Sequence, residues 1–218
     1  MRLRQFIPFL LKSRGKFAFL RCLSPNSRIL DVGCGNNSSY RFKDAIPLCH
    51  YTGIDIGDCN QTQPNMADEY VITTPEYFSS AISGLRPAFD AVISAHNIEH
   101  VDNRVATLEA MMGVVKPGGA LYIAFPCQAS VDFPRRGGLC YFDDETHKPP
   151  PPDPDAILHA LRTGGFEITY FARRYRPVLL WTLGLLVEPL SRALRRALIG
   201  SHEFYGVETL IWARKAGS

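Results

Sequence analysis

From residue 28 to residue 171, short apolar runs containing β-branched residues alternate with segments of helical periodicity, a rhythm that predicts a parallel sheet covered by helices. The predicted strands are Arg28–Val32, Tyr51–Ile56, Glu69–Ile72, Phe89–Ser94, Ala120–Phe125, Phe166–Phe171 and Val207–Ala213. Between the fourth and fifth, Val101, Val105, Leu108, Met112 and Val115 recur at spacings of 4, 3, 4 and 3, the apolar stripe of one helix. Lys116-Pro117-Gly118-Gly119 is expected to end it, because proline and glycine continue a helix poorly. Residues 127–152 interrupt the rhythm with Pro134, Gly137-Gly138 and a run of prolines from Pro149 to Pro152. They read as a long loop on the active face.

A length of 218 residues, 46% of them hydrophobic and 21% charged, fits one sizeable globular domain and excludes disordered, fibrous and multi-span membrane classes. The net charge of +3 hides an uneven distribution. Residues 1–21 hold six basic side chains and no acid, residues 172–196 hold six Arg against Glu188 alone, and the stretch 22–171 carries −8. The six cysteines form no CxxC pair, and the expectation is reduced thiols in a cytoplasmic protein. The apolar run Phe6–Leu11 is followed at once by Lys12, Arg14 and Lys16, which argues against a signal peptide. The longest apolar stretch, Pro177–Val187, covers about half of the roughly 20 residues a membrane helix needs, so it could lie on a bilayer but not cross one.

The strongest chemical signal is Ile29-Leu30-Asp31-Val32-Gly33-Cys34-Gly35, a strand running into a glycine-punctuated turn. Asp55 follows 20 residues beyond Gly35, at the end of the next strand, where a carboxylate can accept hydrogen bonds from both hydroxyls of a ribose. Ser38 replaces the third glycine of a pyrophosphate loop, and no triphosphate-binding GKS or GKT is present. Such a turn suits an adenosine-containing cofactor without phosphates.

With Asp31-Val32-Gly33-Cys34-Gly35, Asp55, Phe89-Asp90-Ala91-Val92-Ile93-Ser94, Asn97-Ile98-Glu99-His100-Val101 and Val115-Lys116-Pro117-Gly118-Gly119 in order over about 100 residues, the chain resembles the class I S-adenosylmethionine-dependent methyltransferases, in their ubiquinone-biosynthesis-like branch. The resemblance implies an α/β, Rossmann-like, doubly wound seven-stranded sheet, mostly parallel, with helices on both faces. It implies S-adenosylmethionine as cofactor. Gly33 and Gly35, with Cys34 between them, would contact its methionine end and ribose; Asp31 would organise the loop or bind the amino group; Asp55 would hold the ribose and Ile56 pack on the adenine; Ser94, Ala95 and His96 would line the far side.

Alignment of nucleophile and methyl group is most of the catalysis, and a hydroxyl acceptor would add the need for a base. His96, His100 and His147 are the candidates, with a helix-capping role also open to His100 and a solvated turn to His147. Asp143, Asp144, Glu145 and His147 lack metal-loop spacing, and no metal is expected. The domain reading is a basic helical segment over 1–24 and a methyltransferase domain over 25–218, with the loop 127–152 and a helical insertion over 176–200. That insertion could meet an anionic membrane surface, or be a helical pair over the cleft or at a homodimer contact.

A second, weaker resemblance, from the Tyr-Phe-Asp-Asp-Glu-Thr-His loop to Glu208, is to methyltransferases of bacterial cell-surface polysaccharide assembly. With the two basic flanks forming one positive rim, it implies O-methylation of a sugar or other small hydroxyl acceptor, lipid-linked or nucleotide-linked and anionic, by a cytoplasmic enzyme that can lie peripherally on the inner membrane. C-methylation of a quinone-like ring and a non-catalytic scaffold are the competing readings. Nucleic acid is disfavoured because no Asn/Asp-Pro-Pro-aromatic motif follows the fourth strand.

Overall fold

Successive residues of a strand point to opposite sides of a sheet, and burial here follows that period of two. Ile29, Ile93, Tyr122 and Trp212 enter one core, while Leu30, Val92, Leu121 and Ile211 enter a second on the other face. The computed structural model describes residues 12–58, 62–85 and 89–217. Its sheet comprises β1 (Arg28–Val32), β2 (His50–Asp55), β3 (Glu69–Ile72), β4 (Phe89–Ala95), β5 (Val115–Pro126), β6 (Phe166–Ala172) and β7 (Glu208–Lys215). The spatial order is β3-β2-β1-β4-β5-β7-β6, parallel except for β7, which runs antiparallel to both neighbours.

The first core is covered by α1 (Lys16–Leu20) and α2 (Ser38–Ala45), which contribute Phe19, Leu20 and Phe42. The second is covered by α3 (Phe78–Gly84), α4 (Arg104–Val114) and α5 (Pro154–Thr163), which contribute Phe78, Met111 and Leu158. Both faces are therefore closed by helices, which is why the inner strands read as nearly continuous apolar runs. Two further helices, α6 (Val178–Ala193) and α7 (Ser201–Tyr205), lie between β6 and β7. No helix of the described residues is long and apolar enough to cross a membrane.

Three expectations need correction. The stripe on α4 is rotated: Thr107, Leu108, Ala110, Met111 and Val114 are its buried residues, whereas Val105 is 66% exposed. Thr107 takes a buried position because its hydroxyl meets that of Ser79 at 2.9 Å, and Val105 faces a groove walled by Pro150, Pro151 and Pro152. Lys116–Gly119 is not the helix stop, because α4 passes directly into β5 at Val115. Those residues form an irregular opening of β5, where pairing with β4 jumps from Phe89↔Val115 to Ala91↔Ala120. The stretch 176–200 is no helical pair but a single 16-residue helix, α6, with Pro189 inside it. The turn before α7 lies so close to α6 that a Cβ on Gly184 would sit 2.1 Å from the Gly200 carbonyl oxygen.

Of the segment 1–24, residues 1–11 lie outside the described residues, as does Cys59. The remainder is bound to the sheet: Trp212 Nε1 donates to the Arg14 carbonyl at 3.1 Å, and the Arg14 guanidinium lies over the rings of Tyr170 and Trp212 at 5.2 and 5.6 Å.

Candidate active site

The strand order reverses between β1 and β4, the place where a doubly wound sheet opens a crevice at its carboxyl ends. Gly33 and Gly35, just beyond β1, have φ of +68° and +60°. A Cβ on Gly33 would lie 2.4 Å from Asn97 Oδ1, beyond β4, so only glycine lets the two strand ends close up. A Cβ on Gly35 would meet nothing within 4 Å. Asp55 holds this turn: one carboxylate oxygen accepts from the Gly35 amide at 2.7 Å and the other from the Ile56 amide at 2.7 Å. Each oxygen keeps a second acceptor position for a ligand hydroxyl.

Asp31 lies beneath the turn, 2% exposed, accepting from the Ser38 hydroxyl at 2.5 Å and the Tyr51 hydroxyl at 2.9 Å. Burial raises its pKa above the ordinary carboxylate value against the pull of Lys16 and these two hydroxyls. It therefore ties β1, β2 and the start of α2 together from inside. Cys34 is buried towards Gly53, where an added Cβ would lie 3.1 Å from its sulfur. Ile56 presents a 56% exposed side chain beside Asp55. Across the crevice, Ala95 is partly exposed, and the buried Ser94 Oγ and Asn97 Nδ2 have no hydrogen-bond partner among the described residues. Open space above Gly35, a carboxylate with unused acceptor positions and orphaned polar atoms opposite make a cradle that fits an adenosyl ligand.

A cleft of about 840 Å³ adjoins this crevice, lined among others by Lys12, His96, Cys140, His147, His202 and Glu208. His96, at φ +57°, places Nδ1 3.2 Å from Glu99 Oε1 and Nε2 2.9 Å from Glu208 Oε1. Burial alone would lower its pKa, but hydrogen bonds to Glu208 and Glu99 carry it up to about 10, while the same contact with His96 and the charge of Lys12 outweigh burial and hold Glu208 at about 2. His96 is thus a clamped imidazolium near neutral pH. With both ring nitrogens on carboxylates it has no lone pair with which to act as a base, contrary to that expectation.

The other two histidines come together, their ring centroids 4.8 Å apart. His147 Nδ1 lies 2.6 Å from the Tyr141 carbonyl, and His100 Nδ1 lies 2.9 Å from Thr146 Oγ1. Of the acids considered beside His147, Asp143 caps the amides of Gly138 and Cys140, and Asp144 accepts from the Thr146 amide and hydroxyl. Among the described residues, those offering metal-ligand atoms together are instead Glu99, His100 and His147.

The loop 127–152 is held by two arginines. Arg104 donates to the carbonyls of Ile98, Lys148 and Pro150. Arg136 is buried on Glu188 of α6, beside Ser191 and Tyr205. Among the described residues of the two basic flanks, only Lys12 lines the cleft, and it pairs with Glu203 and Glu208, while Arg173 pairs with Asp155 and Arg192 with Glu188. The cleft wall carries Asp143, Asp144, Glu145, Glu203 and Glu208, and no arginine. Sequence reasoning missed Glu99, Glu208 and Arg104. Glu99 stood within a recognised motif, but its role depends on long-range partners that spacing does not reveal.

The chain matches the methyltransferase domain family over residues 2–170. It is 27% identical over 106 residues to a ubiquinone biosynthesis O-methyltransferase of Pseudomonas aeruginosa, covering 44% of this chain and 43% of that one. A ubiquinone/menaquinone biosynthesis C-methyltransferase of Coxiella burnetii is 27% identical over 180 residues, covering 69% and 71%. The chain spans about half the length of the O-methyltransferase relatives it matches. Among solved structures, an S-adenosylmethionine-dependent methyltransferase of Mesorhizobium loti shares the fold at a TM-score of 0.57 and 17% identity, covering 91% of this chain and 96% of that one. The 1,6-didemethyltoxoflavin-N1-methyltransferase of Burkholderia thailandensis, with bound 1,6-didemethyltoxoflavin and S-adenosylhomocysteine, gives 0.57 at 14% identity, covering 92% and 76%. The family match and the Rossmann-like sheet, whose fold is shared with solved S-adenosylmethionine-dependent methyltransferases and whose glycine turn stands at the strand reversal, agree: this chain belongs to the methyltransferase domain family.

Proposed function

We propose that the enzyme methylates a hydroxyl group of a small polar acceptor, such as a sugar, bound in the cleft beside His147. The observation that carries this reading is a shared wall: Asn97 closes on the glycine turn while its neighbour His96 lines the cleft, so cofactor and acceptor sites meet across two adjacent residues. Gly33, Gly35 and Asp55 would hold the cofactor's polar end and ribose, Ile56 its adenine, and Ser94, Ala95 and Asn97 its far side. The bound sulfonium supplies an activated methyl group, and the protein supplies alignment.

Of the three histidines, His147 is the one that lines the cleft with a ring nitrogen not committed to a hydrogen bond, and it is the group we assign to activating the hydroxyl. The carboxylate-rich wall favours a neutral hydroxylated acceptor over the anionic one suggested by the basic flanks. Methylation of a ring carbon is the second reading, favoured by the Coxiella burnetii relative, whose match covers 71% of its length.

Calorimetry with S-adenosylmethionine and S-adenosylhomocysteine tests the cofactor cradle, and absence of binding to both overturns it. Methyl incorporation into polyols but not quinone-like rings supports hydroxyl transfer, whereas the opposite preference replaces it with the second reading. For the outward face of α6 we propose an anionic membrane surface as partner, because exposed Val178, Leu179, Leu186 and Leu190 precede exposed Arg192, Arg195 and Arg196.

A further inference from the structure

We propose that Glu99, His100 and His147 form a divalent metal site beside the acceptor cleft, which His147 lines. One carboxylate oxygen of Glu99 and one ring nitrogen from each histidine lie within 4.8 Å of one another. The tautomers follow from the partners. His147 Nδ1 faces the Tyr141 carbonyl at 2.6 Å, an acceptor only, so that nitrogen carries the proton. The Thr146 hydroxyl donates to Asp144 Oδ1 at 2.5 Å, leaving its oxygen to accept from His100 Nδ1 at 2.9 Å. Both imidazoles, when neutral, therefore keep their lone pair on Nε2; that of His147 lies 3.8 Å from Asp144 Oδ2, beyond hydrogen-bond reach. Each is oriented through its other nitrogen by a backbone carbonyl or a carboxylate-linked hydroxyl, the arrangement that fixes metal-bound histidines.

The third ligand supplies the independent indication. Glu99 is 0% exposed, and its Oε2 has no hydrogen-bond partner among the described residues, while Oε1 is taken by His96. A buried carboxylate oxygen that receives no hydrogen bond, in a residue clustered with two imidazoles, is costly without a cation. Two imidazoles and one carboxylate suit a borderline transition metal such as Zn²⁺ or Co²⁺ better than Mg²⁺ or Ca²⁺, which take oxygen ligands. Ligand atoms around Zn²⁺ at about 2.0–2.2 Å lie roughly 3–3.5 Å apart, so small side-chain rotations close the site. His147 also lines the cleft, whose carboxylates attract cations from solution.

On the methyl-transfer reading, a bound metal would occupy the His147 lone pair and take over its part in activating the hydroxyl: the acceptor hydroxyl would bind the metal from the cleft side, its proton passing to solvent more readily than from an unbound hydroxyl. Only this last step rests on that reading; metal binding itself does not.

The test uses untagged full-length protein stripped with EDTA and titrated with Co²⁺, followed by its visible absorption, then back-titrated with Zn²⁺. One saturable equivalent, displaced by Zn²⁺, is expected. His100→Gln and His147→Gln should each weaken it at least tenfold, while His159→Gln, on exposed α5 surface, should leave it unchanged. Melting curves in EDTA show whether each variant folds. Where a histidine variant does not, Thr146→Val, which removes only the group orienting His100, should lower affinity by roughly tenfold. Absence of a saturable equivalent, or affinity unchanged in the folded variants, overturns the site. Methyl incorporation from S-adenosylmethionine into polyols, assayed on the same protein with and without metal, tests methyl transfer separately, so either claim can fail alone.

Discussion

Gly33 and Gly35 lie in one turn with the same sign of φ, yet their surroundings are opposite. Gly33→Ala would drive a methyl group into Asn97, and Gly35→Ala would point one into open space where the cofactor is proposed to lie. We expect Gly33→Ala to lower the melting temperature markedly, and Gly35→Ala to cost only about 1–2 kcal/mol of backbone strain while abolishing S-adenosylmethionine binding. Equal stability losses in thermal melts would contradict this. Asp55→Ala removes charged acceptors from both the turn and the ribose, and should weaken cofactor binding in calorimetry by roughly a hundredfold or more. At this scale the sequence was informative where chemistry is local: the glycine turn and Asp55 are readable from spacing alone. It was silent on His96, whose fate depends on Glu208, 112 residues away.

Elements were legible to the extent that burial obeys a simple period. Strand β1 coincides with its apolar run because four of its five residues are buried in a covered sheet, which admits few polar residues. The stripe on α4 was misread because Thr107 and Ala110, neither strongly apolar, occupy its buried face. Helix α6 was equally opaque: the charge of Glu188 suggests an outward residue, but it is 4% exposed and receives Arg192 at 2.8 Å and Tyr205 at 2.6 Å, with Arg136 alongside. Burial would raise its pKa, but those hydrogen bonds and the Arg136 charge lower it below the ordinary glutamate value. A depressed carboxyl stabilises the fold fully above its unfolded pKa, near 4.5, and loses that contribution as pH falls through the folded value. Wild type should therefore exceed Glu188→Gln in stability by about 3 kcal/mol at pH 7, with the gap narrowing below about pH 4.5. A gap independent of pH in denaturant titrations would show that packing, not charge, holds α6.

At the scale of the molecule, part of the uneven charge of the described residues resolves into pairing with acids, and part stays exposed. Lys12, Arg173 and Arg192 are bound to acids, whereas Arg195 and Arg196 remain exposed just beyond α6. Wild type should sediment with anionic phospholipid vesicles at low salt and be released by high salt, and Leu186→Glu with Leu190→Glu should prevent it. Retention of the double variant, or no sedimentation of wild type, removes the membrane proposal. The strand order has a bearing on timing as well. Strands β1 to β4 and their glycine turn are complete by residue 95, while Glu203 and Glu208 reach the cleft only once β7 is set between β5 and β6. During synthesis, which proceeds at about 5–20 residues per second, the cofactor half is thus finished several seconds before the acceptor wall exists. A nascent chain could acquire its methyl donor before it can admit anything to methylate.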